Sequence, residues 1–184
     1  MVRPNFLFKL SIQGQVFRDI YPENGRFMKI MPELDNIDRR ILMHLQLDAG
    51  ISNADLADRV GSSMASVWRR IKAMEASGLL KQPVRLLDQV ILGQGVNVLC
   101  NIRVRSHSRD VSGAFERFVD ERPEILECYS MSGDWDYLLR IVAVDVSDYE
   151  RFLMNILLEH PSVGGASSHF ALSMTKYSTA LPLP

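Results

Sequence analysis

Apolar residues recur along this chain with two different periods, and the change between them divides it. From Leu34 onward the spacing is helical. Ile37, Ile41, Leu42 and Leu45 share one face, and Asp35-Asn36-Ile37-Asp38 puts an N-cap carboxylate in front of them. The pattern stops near Asp48-Ala49-Gly50, where glycine is expected to supply a left-handed C-terminal residue. Ser52-Asn53-Ala54-Asp55 reads as the capping-box start of a second, short helix carrying Leu56, Ala57 and Val60. Gly61-Ser62 turns the chain, and Ser63 is placed to cap a third helix that runs to Ser77-Gly78. Three short helices with a glycine turn between the second and third form a helix-turn-helix pattern.

The third helix has two distinct faces. At about 100° per residue, Met64, Val67, Ile71 and Met74 make one apolar stripe. Arg69 lies nearly opposite, flanked by Ala65, Ser66, Lys72 and Ala73. Small residues beside cations let a helix approach a groove closely while the charges reach phosphates or base edges. The helix N-terminus at Ser63 adds unpaired N–H groups that favour a phosphate. Trp68 and Arg70 sit at the edges of the stripe; Trp68 suits either the core or the backbone of DNA. Beyond Gly78, the segment from Leu79 to Leu86 is interrupted by Pro83 and reads as a small two-stranded wing, with Lys81 and Arg85 available to flanking phosphates. Leu87 to Gly95 then serves as a connector.

The period next becomes strand-like, and an internal repeat emerges. Val111, Ala114, Phe115, Phe118 and Val119 form a helical stripe that Tyr149, Phe152, Leu153, Ile156 and Leu157 reproduce 38 residues later. Pro123 and Pro161, and then Ile125 and Val163, keep the same displacement. Strand-like runs precede both helices at Val96–Val104 and Tyr137–Val144, and Ser147-Asp148-Tyr149-Glu150 offers a capping box for the second helix. Two copies of strand–helix–strand give the βαββαβ order of a ferredoxin-like sandwich, so the fold class is α+β. Its helices cover one sheet face. The other is expected to be apolar and bare, which calls for burial against a symmetric partner subunit and makes the chain a dimer. Between the copies lies Ser132-Gly133-Asp134-Trp135-Asp136. Ser-Gly-Asp accounts for a tight turn by itself. The two carboxylates around Trp135 exceed that need, and Asp134 or Asp136 can pair with the ammonium of a small zwitterion while backbone N–H groups take its carboxylate.

Composition changes this picture in a few places. The chain has 184 residues, of which 47% are hydrophobic and 23% charged, as expected for a globular protein. No apolar run approaches the roughly 18 residues of a spanning helix. Cys100 and Cys128 fit neither a disulfide framework nor a zinc site, which leads us to expect a reducing, cytoplasmic setting. The net charge of −1 conceals an asymmetry. Residues 59–85 carry six bases against one acid, whereas residues 86–184 carry eight against thirteen. A basic block on an acidic body fits a polyanion-binding module joined to something else, although a solvated helix face has the same charge. His44, His107, His160 and His169 are dispersed without ligand spacing, and the chain has no nucleophile elbow, phosphate loop or dinucleotide fingerprint. His44 lies among apolar helix residues, and His160 sits near a helix C-terminus, where a cation suits the dipole. We therefore expect no catalytic residues, no metal and no cofactor.

Several separate motifs occur in one order. Leu34-Asp35-Asn36-Ile37-Asp38-Arg39-Arg40-Ile41-Leu42, Leu56-Ala57-Asp58-Arg59-Val60-Gly61 and Arg70-Ile71-Lys72-Ala73-Met74-Glu75-Ala76-Ser77-Gly78-Leu79-Leu80 resemble the helix-turn-helix of the Lrp/AsnC ("feast/famine") transcription regulators. Ser132-Gly133-Asp134-Trp135-Asp136-Tyr137-Leu138-Leu139 looks like that family's Gly-x-x-Asp turn, and Thr179-Ala180-Leu181-Pro182-Leu183 looks like a frequent C-terminal ending in it. The resemblance implies a winged helix-turn-helix joined to a ferredoxin-like sensing domain of the RAM/ACT kind. It also implies dimers that assemble into octamers, and an amino acid bound at interfaces between sensing domains. By position, Ala65, Ser66, Trp68 and Arg69 would belong to the recognition helix, and together with Ser63, Lys72 and Lys81 from the capping and charge pattern they would meet double-stranded DNA. Gly133, Asp134, Trp135, Asp136, Ser167, Ser168 and His169 would meet the effector. Siroheme decarboxylases share this two-part architecture and are the enzymatic alternative. The expected domains are an extension over residues 1–33, a DNA-binding domain over 34–86, a connector over 87–95 and the effector domain over 96–184. The extension has no counterpart in the resemblance, and Met28 or Met31 is a candidate natural start, which mass spectrometry of the native protein decides.

Overall fold

The computed structural model describes residues 33–184, so the expectations for the arm before them lie outside the described residues. Two compact units emerge: residues 87–174, and residues 33–86 together with Thr175–Pro184.

The helical unit holds α1 (Asn36–Leu47), α2 (Asn53–Val60) and α3 (Met64–Ala76). Each start is set by a side chain that satisfies an orphan N–H. The Asp35 carboxylate accepts from Asp38 N–H at 2.8 Å while the Asp38 carboxylate accepts from Asp35 N–H at 3.2 Å, a complete capping box. Ser52 and Ser63 accept from Asp55 N–H and Ser66 N–H in the same way. Gly61, at φ 67°, provides the left-handed turn between α2 and α3 that an L side chain rarely adopts. The end of α1 differs from expectation. Gly50 has no positive φ; Asp48 caps the helix in an extended conformation, and its carboxylate takes the Gly50 N–H at 2.8 Å.

Ile41, Leu42, Leu56, Ala57, Val60, Val67 and Met74 form the core of this unit. Met64, assigned to the same stripe, is exposed, because the first residue of α3 lies beyond the reach of the other two helices. Arg70 anchors α3 to the start of α1, with Nη1 2.7 Å from both Asp35 and Asp38. Arg40 donates to the carbonyls of Arg59 and Val60 and so satisfies the open end of α2.

Two expectations are corrected here. No strand pair forms over residues 79–86: Pro83 offers no N–H to a ladder, and the chain runs through irregular structure to β1. The tail, assigned from the sequence to the effector domain, instead docks on α1. Gln46 holds the Leu181 backbone from both sides, accepting its N–H at 2.6 Å and donating to its carbonyl at 3.2 Å. Arg39 Nε donates to the Pro184 carbonyl at 2.7 Å, and Leu183 packs on the helical core.

The second unit follows the order β1 (Val96–Val104), α4 (Arg109–Asp120), β2 (Ile125–Ser130), β3 (Tyr137–Ala143), α5 (Val146–Phe152) and β4 (Val163–Phe170). The sheet is antiparallel with strand order β2-β3-β1-β4, which is the ferredoxin-like arrangement. Val98, Cys100, Ile102 and Val104 of β1 alternate into a core with Leu139, Ile141, Phe115, Phe118, Tyr149, Phe152 and Leu157. Helix α5 starts earlier than the Ser147 box implies. Asp145 is its N-cap, accepting from Asp148 N–H at 2.7 Å, while Asp148 turns back to Val144 N–H. The two helices start 37 residues apart and the strands after them 38 apart. A π turn at Leu153–Leu157 takes up the extra residue, with Leu158 N–H bonded to the Leu153 carbonyl at 2.9 Å.

The open sheet face is less apolar than its continuous-looking runs imply. Alternation sends most of the Val, Leu and Ile side chains inward and leaves Leu99, Leu138, Val142 and Tyr129 among polar neighbours. One such group is Arg140, which donates to Glu127 at 2.9 Å and to Asn97 at 3.3 Å.

Candidate nucleic-acid and effector sites

The outward face of α3 is built as its sequence implies. Ala65, Arg69, Lys72 and Ala73 are exposed, and Ser66 is half-buried. Trp68, left open between core and surface, is 54% exposed and stands on the outer face. Ser63 combines exposure with a capping bond, which fixes the direction in which the helix N-terminus points. Lys72 pairs with Glu75 at 2.7 Å, a surface bridge that contributes little and exchanges readily for a phosphate. Arg69 and Lys81 have no ion-pair partner among the described residues. The helix is thus rigid on one side, through Val67, Met74 and the Arg70 clamp, and carries available positive charge on the other.

The turn between β2 and β3 is pinned to the end of β1. Gly133 turns it at φ 109°. Asp136 N–H donates to the Ile102 carbonyl at 2.9 Å, and the Asp136 carboxylate accepts from Val104 N–H at 2.9 Å. At 8% exposure, Asp136 serves the fold, and its placement corrects the expectation that it faces an ammonium: the carboxylate is directed into the strand backbone, with His107 Nδ1 3.7 Å away. Asp134 remains exposed. Its carbonyl accepts from Arg103 Nη2 at 3.1 Å, and the Arg103 guanidinium lies 4.9 Å from the centre of the half-buried Trp135 ring.

The three β4 residues divide by strand parity. Ser168 points into the core, where its Oγ is 2.5 Å from the Tyr149 hydroxyl and 3.9 Å from Cys100 Sγ, so it is corrected to a core position. Ser167 and His169 lie on the open face, 3.3 Å apart. Register puts Ser167 beside Asn101 and His169 beside Leu99, so Ser167 is the nearer to the turn. Sequence reasoning missed Arg103. Alternation places it on the open face, but nothing local shows that a turn some thirty residues later folds under it.

His160 is also corrected. Its ring packs against Phe118 with the centroids 4.5 Å apart and the planes tilted by 37°, and burial, with a smaller push from Arg122, lowers its pKa and favours the neutral ring over a cation. Among the described residues, no group of His, Cys, Asp and Glu is arranged to hold a metal ion.

Known proteins resemble both parts of the chain. The model of the AsnC-type helix-turn-helix domain matches residues 34–75, and that of the Lrp/AsnC ligand binding domain matches residues 97–181. The chain belongs to the Lrp/AsnC family. It is a DNA-binding transcriptional regulator of that type. The Glutamate uptake regulatory protein of Zymomonas mobilis subsp. mobilis is 40% identical over 152 residues, covering 83% of this chain and 92% of the relative. The DNA-binding transcriptional activator DecR of Escherichia coli is 35% identical over 150 residues, covering 82% and 99%. The crystal structure of an AsnC family transcriptional regulator from Agrobacterium tumefaciens superposes with a TM-score of 0.77 at 42% identity, covering 81% of this chain and 97% of that one. A Neisseria meningitidis transcriptional regulator solved as an L-Met complex superposes with a TM-score of 0.78 at 32% identity, covering 81% and 96%. No helix among the described residues is long and apolar enough to cross a membrane.

Proposed function

We propose that this Lrp/AsnC protein seats α3 in the major groove of duplex DNA, with Arg69 reading a base edge and Trp68, Lys72 and Lys81 gripping the backbone. The observation that carries this reading is the face of α3. It is exposed, cationic and small-residued, and it stands on a helix held from behind by the Arg70 clamp. Phosphate contacts then dominate affinity, so binding weakens steeply with salt. Arg69→Ala is expected to lose about 1–3 kcal/mol of specific binding. Fluorescence anisotropy on DNA from its own promoter region tests this. Unchanged binding in Arg69→Ala, with little salt dependence, places the recognition surface elsewhere.

The second unit is the sensor in this reading. A small amino acid binds at the 131–136 turn with Ser167 and His169 nearby, at an interface between subunits. The Neisseria relative solved with L-Met supports an amino acid as the effector class. The protein works as a cytoplasmic homodimer that assembles further to an octamer, and it does no catalysis of its own. Leu99, Leu138 and Tyr129 on the open sheet face support self-association. So do the exposed Leu87, Val90 and Ile91 of the connector and Leu86 just before it. Light scattering at micromolar concentration tests the assembly; a monomer contradicts it.

A further inference from the structure

The effector turn carries two opposite charges that do not neutralise each other. Arg103 donates to the carbonyl of Asp134 and not to its carboxylate, and it lies against the Trp135 ring. Neither Arg103 nor the Asp134 side chain has an ion-pair partner among the described residues. Both residues are exposed. Arg103 is also held in place. The carbonyl fixes one nitrogen and the Trp135 ring centre lies 4.9 Å from the guanidinium carbon, so less side-chain freedom remains to be lost when an anion binds. Its cross-strand neighbour on β4 is Gly165, where even a methyl group would meet only open space, so nothing there covers the guanidinium. A restrained cation beside an exposed carboxylate on one short turn is complementary to a zwitterion.

We propose that Arg103 takes the α-carboxylate of the amino acid bound at this turn, while the Asp134 carboxylate takes its ammonium. The proposal rests on the sensor reading above and adds to it an anchoring residue that lies outside the turn. It also assigns the two charges to opposite ends of the ligand. Trp135 acts as a positioning residue by holding the guanidinium through a cation–π contact. A planar fork matches a carboxylate bidentately, which an ammonium does not, so lysine at this position is a poor replacement.

The test is isothermal titration of the full-length protein with each of the twenty natural L-amino acids, and with the α-carboxamide of every one that binds. The carboxamide keeps the ammonium and side chain but removes the negative charge. The wild type is expected to prefer the acid by on the order of tenfold to a hundredfold. Arg103→Gln is expected to bind acid and carboxamide equally, Arg103→Lys to regain only part of the preference, and Asp134→Asn to weaken both ligands together. DNA binding without amino acid is expected to be unchanged in Arg103→Gln, which shows that the variant is folded. A preference for the acid that survives in Arg103→Gln overturns the proposal while leaving the sensor reading intact. A wild type that does not distinguish the two ligands also overturns it alone. Failure of all twenty amino acids to bind the wild type overturns the sensor reading and this proposal together.

Discussion

Asp136 shows how one buried acid fixes a turn. Its carboxylate bonds to the backbone of β1 at 8% exposure, so removing it leaves the Val104 N–H without its partner in a buried place. Asp136→Ala is expected to lower the stability of the ligand-binding unit by about 1–3 kcal/mol, read by urea denaturation. His160 gives the same unit a pH dependence of definite sign. Burial lowers its pKa from 6.5, so the unfolded chain binds the proton more readily than the folded one. Stability is therefore full above about pH 6.5 and falls as the pH drops from there toward the folded-state pKa. His160→Phe keeps the ring against Phe118 and is expected to flatten the difference between pH 7.5 and 5.5, even if it costs the Ser162 N–H its acceptor. Residues of this kind divide in how legible they are. Asp35, Ser52 and Ser63 act within three residues of themselves, so spacing alone identified them as caps. Asp136, Ser168 and Arg103 act across 19 to 32 residues, and composition carries no trace of the partners they meet.

Elements were readable where one period ran long enough. All three helices of the DNA-binding unit and the doubled strand–helix–strand pattern follow from apolar spacing, because each buries one face against a core that spacing can define. The exceptions have local physical causes. Pro83 removes a ladder donor where a wing was expected, and a π turn absorbs a residue within an otherwise strict repeat. The tail is a third case, since its apolar residues follow neither period and its docking depends on Gln46 and Arg39 of a helix far earlier in the chain. Leu183→Asp is expected to destabilise the helical unit by about 1–2 kcal/mol, seen as faster amide exchange in α1. Ser63→Ala is expected to cost about 1 kcal/mol and to fray the start of α3, weakening DNA binding through the helix end rather than through a lost base contact.

For the whole molecule, the account requires a rigid cationic helix in one unit and a zwitterion-binding turn in the other, within an assembly that presents two copies of α3 to one duplex. A two-fold dimer reads inverted half-sites spaced by a helical turn or a multiple of it. The most direct test is fluorescence anisotropy of the full-length protein on a duplex from its own promoter region, at several salt concentrations, for wild type and Arg69→Ala. The account predicts specific binding that falls steeply with salt in the wild type and weakens about tenfold or more in Arg69→Ala, with unrelated DNA bound equally by both. Equal affinity of the two proteins for the promoter duplex at every salt concentration would contradict it.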